Sequence, residues 1–116
     1  MFSYLKGILA SKSENSPSGC NAVIEVNNIG YSVLTNKKVI NSLPEIGENV
    51  TIHTSLIHRE DIMYLCGFNS REDRDLFNIL QSVSGIGVKA ALLLLDGFSA
   101  YELISVVIRG DDKALS

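Results

Sequence analysis

The residues with most chemistry to offer are Ser84-Gly85-Ile86-Gly87-Val88-Lys89. Two glycines flank one aliphatic residue, with a polar-capped helical pattern before them and an Ala/Leu-rich run after. That pattern joins two short helices by a tight hairpin, where glycine lets the backbone turn and approach a ligand closely. The second helix begins with amides that have no intrahelical partner, at the positive end of its dipole. Such a terminus suits a DNA phosphate. The expected donors are the amides of Gly85, Gly87, Val88 and Lys89, with the Lys89 ammonium as a second phosphate contact. Contact of this kind is blind to base sequence. Gly-x-Gly is common, however, and a glycine helix stop followed by a new helix in an ordinary bundle is its commoner use.

The second candidate is Arg59-Glu60-Asp61, at an expected strand-to-strand turn. A charged turn is ordinarily just solvated. Two carboxylates without a third acid or a suitably placed histidine make a weak cation site. Adjacent residues of an extended segment point apart, which disfavours a catalytic pair. The remaining role is electrostatic. A carboxylate about 7 Å from a phosphate repels it by about 0.6 kcal/mol in water, and by more where solvent is excluded. One pair does little, but several copies gathered by symmetry can hold strands apart.

Other chemistries find little support. His53 and His58 are five residues apart, on opposite faces of a continuous strand, and no zinc-type spacing occurs. There is no phosphate-binding loop of the G-x-x-x-x-G-K-[ST] kind. No Ser/His/Asp constellation can be argued. Cys20 and Cys66 are expected to be free thiols. Tyr4, Tyr31, Tyr64 and Phe68 can offer stacking platforms for bases, but with aromatics at 7% packing is their expected role.

The elements that must position these groups follow from hydrophobic periodicity. Residues 3–11 read as a strand interrupted by Gly7, a bulge or bend of the kind small barrels need. Lys12 to Asn21 reads as a polar, mobile loop. Ala22–Val26 and Ile29–Leu34 form a hairpin about Asn27-Asn28, since asparagine tolerates positive φ. Thr35 to Leu43 holds one helical turn, and Pro44 to Glu48 a reverse turn. Asn49–Leu56 and Ile62–Phe68 supply two more strands. Five strands with a small insert between the third and fourth fit an OB-type barrel, although strand count alone also fits an SH3-like barrel.

Beyond Asn69 the period changes. Asn69 or Ser70 caps a helix over 71–82, with Glu72 or Asp73 as the reciprocal acid. Leu76, Phe77, Leu80 and Val83 form its apolar stripe. Val88 to Leu95 is apolar nearly all round and is expected to be buried. A capping box at Ser99–Glu102 announces a third helix, and Asp111-Asp112 can cap a fourth. The reading is an α+β chain: a five-stranded OB-fold β-barrel over 1–64 and a small helix-hairpin-helix domain over 65–116.

Composition sets limits on both halves. The chain has 116 residues, 46% hydrophobic and 20% charged, enough for one compact domain or two very small ones. The net charge of -3 argues against nucleic-acid binding by bulk positive charge, so any DNA contact must rest on backbone donors and a few placed cations. No apolar run is long enough to span a membrane, and no secretory leader is expected.

In order along the chain, the motifs resemble those of the N-terminal part of the RuvA family, the Holliday-junction-binding subunits of the bacterial branch-migration complex. The likeness rests on Tyr4-Leu5-Lys6-Gly7-Ile8, Ile24 to Tyr31, Leu43 to Gly47, Arg59-Glu60-Asp61, Leu65 to Phe68, Leu76-Phe77 and Ser84 to Ala91. It implies an OB barrel and a helical domain assembled as a homotetramer, singly or in pairs, on an open, square four-way junction. By that likeness Ser84, Gly85, Gly87, Val88 and Lys89 hold phosphates in the minor groove, and Arg59 is a local cation that steers or anchors a strand. Glu60 and Asp61 match the family's acidic pin, which repels phosphates at the crossover. The likeness further implies no catalytic residues, metal or cofactor in this chain, because ATP is used by the RuvB motor. RuvC resolvase is the other implied partner, and a bacterial cytoplasmic location is implied.

Two departures qualify the resemblance. The stretch 12–21 is a few residues longer than usual in the family. The family also has a second helix-hairpin-helix, a linker and a motor-binding domain, none of which lies within these 116 residues. Motor coupling is therefore not assigned to them, and junction affinity is expected to be weaker than with two hairpins. Two other classes remain open. A base-excision glycosylase with such a hairpin needs a catalytic acid well downstream, whereas Asp96 lies only nine residues past Gly87. A plain OB module would prefer single strands.

Overall fold

The computed structural model describes residues 2–17, 19–82, 86–98 and 102. Its elements are β1 (Tyr4–Ser16), β2 (Gly19–Val26), β3 (Ile29–Thr35), α1 (Lys37–Ser42), β4 (Asn49–His58), β5 (Met63–Phe68), α2 (Arg71–Ser82) and α3 (Val88–Gly97). The strands close into a barrel in the order β1-β2-β3-β5-β4, with β4 pairing back onto β1. Every pairing is antiparallel except β3 with β5, which is parallel over only two residue pairs. That short seam is reinforced by the Thr35 hydroxyl, which donates to the Gly67 carbonyl at 2.6 Å. With α1 inserted between β3 and β4, this is the OB arrangement.

β1 is shared by two neighbours, and this explains its glycine. Its first half pairs with β4 and its second half with β2, the exchange falling at Ile8 and Leu9. Gly7 stands just before the exchange, where a Cβ would run into the Glu25 carbonyl oxygen and sit 2.9 Å from Val26 Cγ2. The register shift itself comes later, between Leu9 and Ser11. The hairpin between β2 and β3 turns on Asn27 and Asn28, whose φ values of 51° and 67° match a two-residue turn with both residues left-handed.

The polar stretch 12–21 is not a loop. β1 runs on to Ser16 and pairs with β2 through Lys12↔Ala22, Ser13↔Asn21 and Ser16↔Gly19. Its residues are polar because most of this arm faces water, and the backbone ladder holds it without an apolar face. The Lys12 ammonium ties the arm's base to the Pro44 carbonyl at 3.1 Å.

Two apolar clusters organise the rest. One fills the barrel with Leu9, Ile24, Val33 and Ile52, and is closed at one end by Val39, Ile40 and Leu43 of α1 and its C-cap. The other lies outside the barrel wall, where Ile57, Cys66 and Phe68 meet Leu76, Phe77 and Leu80 of α2 and Ala91, Leu92 and Leu95 of α3. Phe68 and Phe77 are in ring contact, with centroids 4.9 Å apart and planes at 42°. β5 is thus buried on both faces from Leu65 to Phe68. It runs to Phe68 as a barrel strand, past the boundary at 64/65 drawn from the sequence.

α1 links barrel and helices. Asn36 caps it by accepting the Val39 amide at 3.0 Å, while its own amide donates to the Leu92 carbonyl of α3 at 2.9 Å. Lys38 reaches Asp73 of α2 at 3.4 Å, and its backbone N–H donates to the Asp96 carboxylate at 2.7 Å. α2 is capped by the Ser70 hydroxyl, which accepts the Asp73 amide at 3.1 Å. The Asp73 carboxylate therefore pairs with Lys38 rather than reaching back as the reciprocal cap.

Candidate nucleic-acid interface

α2 and α3 pack on the barrel wall, which places Gly87 and the start of α3. Ser84, Gly85 and the stripe residue Val83 lie outside the described residues, as do the third and fourth helices expected after Ser99, apart from Glu102, which is helical. Of the expected phosphate contacts, Gly87, Val88 and Lys89 are described and adjacent at the start of α3. Gly87 is the N-cap, with no side chain to occupy the terminal amides. The first intrahelical bond is donated by Ala91 N–H to the Gly87 carbonyl at 3.0 Å. The amides of Val88, Lys89 and Ala90 precede it, so the helix itself gives them no partner. No acidic residue sits in this first turn, and Lys89 is exposed. The terminus keeps its positive dipole end unneutralised from within.

Gly87 needs no special conformation. Its φ is -82°, and a Cβ built there meets nothing within 4 Å. Gly7, by contrast, is required by its packing inside the chain, and Gly19 and Gly47 have positive φ. The expectation that glycine is needed at 87 for the turn does not hold; the space beside it is open.

α3 is not buried all round. Ala91, Leu92 and Leu95 face the core, but Leu93 is 69% exposed and Ala90 is exposed. One helix packed on one wall can bury only one stripe, however apolar the sequence.

Arg59, Glu60 and Asp61 do form a strand-to-strand turn. The Arg59 amide donates to the Ile62 carbonyl at 2.9 Å, directly beyond the last pair, His58↔Met63. All three side chains are exposed. Burial raises the Tyr64 phenol above its usual pKa and Cys66 adds to the rise, while the nearby Arg59 guanidinium offsets part of it.

α2 lies between the turn and the residue before the α3 N-cap. Gln81 Nε2 donates to the Ile86 carbonyl at 3.4 Å, beside Gly87. The same Gln81, with Asn78, faces Ser55, His58 and Arg59 across a groove of about 230 Å³. Sequence reading missed Asn78 and Gln81, which look like ordinary exposed helix positions. Their i, i+3 spacing was visible, but the strand they face was not.

The remaining candidates differ in burial and contacts. Cys66 is fully buried and burial pushes its thiol up to about 12, so it is no nucleophile at neutral pH. Cys20 is a free, half-buried thiol whose pKa is raised by burial and then by Glu14 and Asp96, with Lys37 opposing. Asp96 accepts the Lys38 amide. Phe68 is fully buried, Tyr31 and Tyr64 pack against the two clusters, and Tyr4 remains exposed. His53 is half-buried and His58 exposed, at opposite ends of the outer part of β4. Among the described residues no group of three or more His, Cys, Asp or Glu could hold a metal ion, and no helix is long and apolar enough to cross a membrane.

Comparison with known proteins agrees with this architecture. A family model described as the RuvA N terminal domain matches residues 1–67. A protein of Chloroherpeton thalassium is 40% identical over all 116 residues, and one of Gloeobacter violaceus 38%. A Pseudomonas putida protein is 38% identical over 115 residues. Each is named Holliday junction branch migration complex subunit RuvA. The chain spans 54–56% of the length of these relatives. A closed five-stranded barrel with its insert helix, followed by α2 and α3, lies in a chain matched in sequence across its whole length: the chain belongs to the RuvA N-terminal domain family.

Proposed function

We propose that this chain binds four-way DNA junctions, without catalysis of its own, as the junction-holding part of a branch-migration complex in recombination and repair. The observation that carries this reading is the start of α3, where a glycine cap, three amides outside the helical ladder and exposed Lys89 converge, in a chain whose relatives are named for Holliday-junction branch migration. Phosphates would be held by Gly87, Val88 and Lys89, joined by Ser84 and Gly85, and by Arg59 at the turn. Such contacts read backbone geometry rather than bases, so selectivity must come from the shape of the junction.

Glu60 and Asp61 would act as an acidic pin. They project from a tight hairpin end and are exposed, so their carboxylates would oppose approaching phosphates. Gathering several pins needs self-association, and a homotetramer, alone or paired, holding the junction open and planar is the corresponding assembly. Ile62 and Met63, 52% and 66% exposed beside the turn, supply apolar surface for it. An ATP-driven motor of the RuvB type and a resolvase of the RuvC type are the proposed protein partners, with motor contact outside these residues and the complex in the bacterial cytoplasm. No cofactor is proposed for this chain.

The test is a mobility-shift competition among four-way junction, linear duplex and single strand of the same sequence. The junction is expected to win, with affinity falling steadily as salt rises. Equal affinity for all three would remove this reading, and a preference for single strands would favour a plain OB module.

A further inference from the structure

We propose that the groove between β4 and the C-terminal half of α2 is a further phosphodiester-binding site, with Asn78 and Gln81 as donors to a DNA strand. The inference rests on the junction-binding reading above and assigns it residues outside the hairpin and the pin.

The groove is lined by polar side chains, with Leu56 and Ile57 beside them. Ser55, His58 and Arg59 line one side and Asn78 and Gln81 the other, with no carboxylate among its lining residues. The Ser55 hydroxyl donates to Asn78 Oδ1 at 2.6 Å. That bond engages the Asn78 carbonyl oxygen and leaves its NH2 as a donor. Gln81 uses one N–H for the Ile86 carbonyl and has a second. Arg59 adds a guanidinium and His58 a ring N–H. A lining rich in donors and free of carboxylates favours a ligand made of acceptors and negative charge, and a phosphodiester is both.

Position identifies the source of the phosphate. One rim of the groove is at Arg59, which Glu60 and Asp61 follow directly in the chain. The other, at Gln81, touches the residue before the α3 N-cap. A strand held by the α3 amides and directed towards the acidic turn would cross the groove. Donors at that point would hold it while the carboxylates repel its continuation.

The experiment reverses the charge at one exposed position. Asn78→Asp keeps an acceptor for Ser55, and Asn78→Lys adds a cation facing the same groove. Junction affinity of the full 116-residue chain is measured across a salt series, with thermal melting as a check on folding. Asn78→Asp is expected to weaken binding about tenfold, as a carboxylate facing a phosphate should. Asn78→Lys is expected to tighten binding and to steepen the salt slope by about 0.9, one more neutralised phosphate. A purely structural asparagine would lose affinity with both changes, and that result overturns the proposal. So does wild-type affinity and slope in both variants when the parent chain prefers the junction. Loss of junction preference in the parent itself would instead overturn the reading on which the proposal rests. If the variants change solution mass and leave DNA affinity alone, the groove is a contact between copies of the chain. If they alter binding of inorganic phosphate only, it is a free-anion site. Either outcome also overturns the proposal.

Discussion

At the scale of single residues, Gly87 has an extended backbone that any residue can adopt, and empty space where a Cβ would go. Its substitution therefore separates folding from binding. Gly87→Ala should cost about 0.5–1 kcal/mol at most, since alanine is a poorer N-cap than glycine. The added methyl would stand beside the free amides of α3, so junction affinity should fall several-fold while the melting temperature barely moves. Paired melting and binding curves check this; unchanged affinity would remove the phosphate role of the hairpin. Gly7→Ala would behave differently, because its methyl collides with the Glu25 carbonyl oxygen inside the barrel. The two glycines look alike in the sequence. Only their surroundings show that one is fixed by the fold and the other stands beside open space.

At the scale of elements, α1 is short but connects the two apolar clusters. Its N-cap Asn36 is 5% exposed and makes two bonds, one that starts α1 and one that holds α3. Asn36→Ala removes the cap, worth about 1 kcal/mol. It also leaves the Leu92 carbonyl without its side-chain donor, at a further cost of about 1–3 kcal/mol. Asn36→Asp should restore most of the capping but not the bond to α3. Urea denaturation should rank wild type above Asn36→Asp above Asn36→Ala. Equal stability of the two variants would mean that the α3 bond contributes all of the effect. The arm of β1 and β2 makes a related point: its polar residues suggested a loop, yet pairing of backbone with backbone needs no apolar side chains.

At the scale of the whole molecule, an acidic chain is proposed to hold a polyanion. On that proposal attraction would be local, from the amides of α3, Lys89 and Arg59, while net repulsion would be general. The pin fits this balance only if copies of the chain bring several of its acids together. Glu60→Gln combined with Asp61→Asn should then preserve or tighten junction binding. Each carboxylate–phosphate pair removed relieves about 0.6 kcal/mol at 7 Å in water. Binding of the double variant to a junction, alongside the solution mass of the chain, checks both parts. A clear loss of affinity would mean that the acids are not repulsive elements, and a monomeric mass with junction preference intact would remove the need for symmetry.

The order of elements was determined by the sequence alone. Alternation marked β2 to β4, the Asn pair marked a left-handed turn, and helical spacing marked α2. These are local properties, carried by neighbouring residues through backbone conformation and the period of the apolar pattern. The exposed Arg-Glu-Asp turn was legible for the same reason. What only the tertiary structure decided depends on residues distant in the chain. These are the second buried face of β5, the exposed side of α3, the pairing of Lys38 with Asp73, and the meeting of Asn78 and Gln81 with Ser55 and Arg59. The hairpin belongs to both categories. Its glycines were plain in the sequence, but the open space at Gly87, the N-cap of α3, exists only once α3 has packed on the barrel.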